Sequence, residues 1–171
     1  LGFPIEDISL RDKVMTACRG GVVVIAAAGN SANDEIELLR KMADPARAAL
    51  AITVGASNDE NRLTDYSAYG YINPRDYASE DFKPDLIAPG GDYWYTAVMS
   101  IDSGTCDGMS NADRVANDYA SGVGTSFSSP FVAGVAGLVI EALERTGITW
   151  DFASDRHPRL VKMLLCATAT E

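Results

Sequence analysis

Two short segments carry residue types whose spacing suits chemistry on an acyl group. The first is Gly124-Thr125-Ser126-Phe127-Ser128-Ser129-Pro130, at the head of a long apolar stretch. A hydroxyl at a helix N-terminus sits among unpaired N–H groups and the positive end of the helix dipole, which favours a developing anion. Serine is also a preferred helix cap, so on this fragment alone a capped core helix is the plainer reading. The second is Ala26-Ala27-Ala28-Gly29-Asn30, where an apolar strand ends in small residues and an amide. Ligands bind at strand C-termini in open α/β sheets. There small side chains let a substrate backbone lie close, and Asn30 could aim its N–H2 at an oxyanion; a simple turn asparagine is the plainer reading.

The elements that must position these residues follow from apolar patterning. Residues 22–26, 51–54, 85–88 and 97–101 read as buried strands, the first a β-branched run without polar alternation, as in a parallel sheet covered on both faces. Leu10, Val14 and Cys18 recur at helical spacing, with Asp7 as a candidate N-cap and Gly20-Gly21 as a stop. Residues 33–42 form a candidate short polar helix closed by Pro45. Residues 126–144 are apolar on nearly all sides, which predicts a helix buried in the domain centre, with Pro130 tolerated in its first turn. A last helix begins near Pro158 and buries Leu160, Val161, Leu164 and Leu165. Strand and helix alternate, so the class is α/β with a mostly parallel sheet. Neither an internal repeat nor a linker divides the chain, and residues 102–122 form the one long segment without periodicity.

Composition narrows the function. The chain has 171 residues, 24 acidic against 14 basic, for a net charge of −10, and a mean hydropathy of −0.02. Such a balance disfavours nucleic acid or an anionic membrane as partner. The apolar runs look too short to span a bilayer. His157 is the one histidine, and Cys18, Cys106 and Cys166 are never paired in sequence, so a structural zinc site is disfavoured. Cys18 and Cys166 lie in apolar patterns that predict small buried hydrophobes. Leu1 in place of an initiator methionine points to a piece or processed form of a longer chain.

Four segments, VVVIAAAGN, AITVGAS, KPDLIAPGG and GTSFSSPFVAG, occur in the order and spacing found in subtilisin-like serine proteases. The chain resembles the C-terminal part of a subtilase catalytic domain, over residues 1–171. The resemblance implies a three-layer fold with a mostly parallel sheet whose N-terminal strands are absent here. It implies that Ser126 is the nucleophile, that Asn30 and the Ser126 N–H bind the oxyanion, and that Leu1, Gly2, Ala27, Ala28 and Gly29 flank the pocket for the residue before the scissile bond. In this family, losing one such oxyanion donor lowers turnover by about 10²–10³. Gly134 and Gly137 would let the helix pack closely on the sheet. The implied substrate is a polypeptide and the implied location extracellular or in the cell envelope, with no organic cofactor. The family commonly uses structural calcium; Asp102, Asp107, Asn111, Asp113, Asn117 and Asp118 supply oxygen ligands in the long loop, without EF-hand spacing.

The departures are as informative. The family's triad runs Asp, His, Ser, and the segments bearing the first two lie upstream of the AAAGN strand, so this chain lacks both. A serine hydroxyl is a weak nucleophile without a base, and an oxyanion hole with binding alone retains about 10³–10⁴ over water. The expectation is a chain inactive alone that works with the missing N-terminal part of its domain. His157, in Asp-Arg-His-Pro, reads as a cap before the last helix. Two other functions fit less of the pattern. One is a non-catalytic subtilase-like scaffold, which has no need of Ser126 and Asn30. The other is an α/β-hydrolase esterase with His157 as base, whose nucleophile motif wants glycine where Ser128 stands.

Overall fold

The computed structural model describes residues 7–34, 42, 44–70, 82–92, 97–101 and 119–170. Helix α1 (Ile8–Arg19) starts and stops at the expected signals: the Asp7 side chain accepts from Leu10 N, and Gly20 closes the last turn. Cys18 is fully buried at its end, and burial raises its thiol pKa. Strands β1 (Ile25–Ala27), β2 (Ile52–Ser57) and β3 (Leu86–Pro89) form a parallel sheet in that order. Ile25 pairs with Ile52, and Val54 with Leu86. Every residue of β2 is buried, as a central strand requires. The first strand starts at Ile25, not Val22, because Val22 is still exposed in the turn leaving α1.

Helix α2 (Thr125–Arg145) packs across all three strands, and helix α3 (Arg156–Thr168) packs beside it. Val132 and Ala136 from α2, Val161 and Leu165 from α3, and Ile52, Val54 and Ala88 from the sheet make one core. Leu160 and Leu164, expected in that core, are half-buried. Two more strands, β4 (Val98–Ile101) and β5 (Tyr119–Gly122), pair antiparallel. The fifth strand falls within the segment that showed no periodicity.

Several expectations need correction. Within the described residues α2 is covered on one face, not all round: Phe131, Val135 and Leu138 are exposed, and a side chain added at Gly134 or Gly137 would meet nothing within 4 Å. Neither glycine therefore packs on the sheet. Pro130 lies in the second turn of α2, where its missing N–H leaves the Ser126 carbonyl without a helical partner. By length and composition α2 is long and apolar enough to cross a membrane, but here that apolarity packs one face of the helix on the sheet. Cys166 is exposed, not buried. The expected helix at residues 33–42 lies largely outside the described residues.

The crossovers are tied by a charge cluster. Asp85 opens β3, and its carboxylate receives Thr53 N at 2.8 Å, Lys83 Nζ at 2.5 Å and Lys162 Nζ at 2.8 Å. Both ammonium groups also donate to the Ala51 carbonyl, and Lys162 to that of Ala49. Two cations thus share one carboxylate, and α3 is bound to the lead-in of β2. Burial pushes Lys83 down to about 8 against the opposing pull of Asp85.

Candidate active site

The ends of β1 and β3 converge on the N-terminus of α2. After β3, the Gly90 carbonyl accepts from Gly124 N at 2.9 Å, and Gly90 N and Gly91 N both reach the Ser57 carbonyl. The fully buried Tyr66 hydroxyl lies 3.0 and 2.6 Å from the Gly90 and Gly91 carbonyls, fixing this turn. A side chain on Gly90 would meet Ser128 Oγ at 2.4 Å and Ala56 Cβ at 2.6 Å, so only glycine lets the turn close over the helix. Ser128 is fully buried, and its hydroxyl has no hydrogen-bond partner among the described residues.

After β1, Asn30 meets the same helix end. Its Oδ1 accepts from Thr125 N and Thr125 Oγ1, both at 2.9 Å. The Thr125 hydroxyl in turn accepts from Gly29 N at 3.0 Å. The Thr125 backbone N–H can only donate, so its bond to Asn30 assigns which end of the amide is oxygen and turns Nδ2 the other way. Gly124, at φ 145°, passes so close that a side chain there would lie 2.8 Å from Asn30 Nδ2. Gly124 is the N-cap, and Ser126 follows Thr125 in the first turn, with its side chain exposed.

Among the described residues neither the Ser126 N–H nor Asn30 Nδ2 has an acceptor, and the Ser126 hydroxyl has no base. The arrangement therefore sets an exposed hydroxyl beside two open donors at the positive end of a 21-residue helix. Such a constellation can hold an oxyanion while the hydroxyl attacks. Ala27 ends β1, and Ala28 and Gly29 follow it, Ala28 packed into a buried cluster with Ala26, Met42, Ala46 and Ala68; Leu1 and Gly2 lie outside the described residues, as do the six oxygen-bearing loop residues. No group of three or more metal-ligating side chains occurs among the described residues.

His157 is elsewhere. It is a buried residue of the first turn of α3, its Nδ1 accepts from Asp151 N at 2.8 Å, and its ring lies 5.0 Å from that of Trp150. The esterase reading thereby loses its base. Thr125 is the residue sequence reasoning passed over. It stood inside the quoted motif, but its role shows only when Asn30, 95 residues away, is brought against it.

A parallel α/β domain with a serine in the first turn of its long helix and an asparagine at a strand end defines the class. The chain belongs to the subtilase family, whose model matches residues 5–171. It is 33% identical over 134 residues to the serine protease AprX of Bacillus subtilis, covering 75% of this chain and 28% of that protein. Against subtilisin BL of Lederbergia lenta it is 34% identical over 139 residues, covering 81% and 39%. A solved cold-adapted subtilisin-like serine proteinase superposes at a TM-score of 0.60 with 25% identity, over 100% of this chain and 46% of that one. The self-cleaved protease domain of PatA gives 0.66 at 24% identity, covering 99% and 50%. The chain thus spans well under two thirds of the relatives it matches.

Proposed function

We propose that this chain is the nucleophile-bearing portion of a subtilisin-like serine endopeptidase that cleaves polypeptides through an acyl-enzyme on Ser126. The observation that supports it best is Asn30, whose oxygen is held by Thr125 and whose N–H2 is left open beside Ser126. In this reading Ser126 Oγ attacks the scissile carbonyl. Its oxygen becomes the oxyanion held by Asn30 Nδ2 and the Ser126 N–H, and the amine leaves once protonated. Water then releases the acyl group. The Ser126 proton must be taken by a base that this chain does not contain, so the upstream part of the domain supplies the histidine and the aspartate, and the chain alone is inactive. The exposed face of α2 and the free edge of β1 are where that part docks. An extracellular or cell-envelope location goes with this reading.

The test is intact-mass analysis after a fluorophosphonate probe, on this chain alone and on the chain produced with its upstream segment. A single adduct at Ser126 in the combined sample alone is the expected result. A folded combined sample that takes no adduct would overturn the protease reading.

A further inference from the structure

The connection between α2 and α3 clasps the turn between α1 and β1. Trp150 Nε1 donates to the Gly21 carbonyl at 2.8 Å. Gly21, at φ 83°, lies so close beneath that a side chain there would meet the Asp151 carbonyl oxygen at 2.5 Å and Phe152 Cα at 2.7 Å. The loop is closed on itself by Asp151, whose carboxylate accepts from Ala153 N at 2.8 Å and Ser154 Oγ at 2.5 Å. It is closed onto α3 by the Asp151 N–H bond to His157 Nδ1.

That last bond depends on the protonation of the ring. Nδ1 can accept from a backbone N–H only while it carries no proton, which fixes the neutral Nε2–H form. His157 is 7% exposed, and it stands in the first turn of α3, at the positive end of the helix dipole. The charged groups around it are Asp151 on the loop and Asp155 and Arg156 at the start of α3; Asp155 is engaged with Arg159 at 2.8 Å. The turn beneath contributes the backbone of Gly21. Hydrogen bonds from Ser154 and then Ala153 hold the Asp151 carboxyl below its usual range, so it remains an anion in mildly acidic solution.

We infer that His157 is an acid-sensitive latch: neutral, it holds the 150–154 loop down on the α1–β1 turn; protonated at Nδ1, it must give up the Asp151 N–H and release the loop. The turn so released leads into β1, whose end at Ala27 is followed by Asn30. The latch is independent of the protease reading.

The measurement is residue-resolved hydrogen exchange and 15N shifts of the ring in the complete catalytic domain, at pH 7.5 and pH 5. The expected wild-type result is an unprotonated Nδ1 at pH 7.5. Protection of Asp151 N–H and Trp150 Nε1–H should then drop at least tenfold at pH 5, after correction for intrinsic rates. His157→Asn, which offers a carbonyl acceptor that does not titrate, should keep its protection at both values. A protonated Nδ1 at pH 7.5, wild-type protection that does not change with pH, or an equal drop in His157→Asn would overturn the latch. The 15N shifts decide even if the variant fails to fold.

Discussion

Replacing Thr125 by valine tests the central geometry. The two side chains have nearly the same shape, so the change removes a hydroxyl and little else. That hydroxyl makes two bonds: it donates to Asn30 Oδ1 at 2.9 Å and accepts from Gly29 N at 3.0 Å. Thr125 is 1% exposed, so water cannot replace either partner. A net hydrogen bond is worth about 1 kcal/mol and a stranded N–H costs about 1–3 kcal/mol, which gives a stability loss of about 2–4 kcal/mol. Asn30 keeps its bond from Thr125 N, so its amide is loosened but not lost. Freeing one of its two tethers corresponds to about a five- to tenfold fall in kcat, well short of the 10²–10³ expected for Asn30→Ala. Steady-state kinetics of the complete catalytic domain on a peptide anilide separate the cases. The loss should appear in kcat with KM unchanged, and Thr125→Ser should restore it. A loss confined to KM, or one as large as that of Asn30→Ala, would refute the idea that Thr125 acts by orienting Asn30.

Two further predictions concern stability. Lys83 has a lower pKa folded, about 8, than unfolded, 10.5, so between these values the unfolded chain binds the extra proton. Stability should therefore rise with pH across that window, by up to about 3 kcal/mol relative to a Lys83→Met variant. Urea midpoints at pH 7.5 and 10.5 measure it, and a relative fall would contradict the assignment. Ser128→Ala removes a buried hydroxyl that has no partner and should stabilise by about 1 kcal/mol in the same assay; a loss of 1 kcal/mol or more would show that the hydroxyl is bonded.

What the sequence made legible was whatever is decided locally. Asp7 and Gly20 mark α1 because caps act within a turn. The apolar runs around Ile52 and Leu86 mark strands because a fully covered parallel sheet leaves no polar alternation. Resemblance singles out Ser126 and Asn30, since motif order carries what spacing alone does not, and the structure brings Asn30 against the residue before Ser126. Features decided by distant partners were hidden. Strand β5 is defined by pairing Tyr119 with Ile101 across a long loop, and Tyr-Ala-Ser-Gly shows no pattern of its own. The Lys83–Asp85–Lys162 cluster joins residues 77 positions apart by the difference of their numbers. The apolarity of α2 predicts a helix buried all round, but composition cannot say what does the covering, and among the described residues one face of the helix stays open. Cys166 fell on the wrong side of α3 because a four-residue apolar pattern fixes a helix face only to within a neighbouring position.

The bond between Thr125 and Asn30 has a consequence for when the site can be assembled. It joins two points 95 residues apart in the chain, and closing so large a loop is slow and comes at the cost of chain entropy that only the assembled sheet repays. A chain made only in part holds Asn30 without Ser126, and a chain made but not folded holds both without the bond that orients the amide. Topology thus makes the arrangement at the head of α2 one of the last things the folding chain completes.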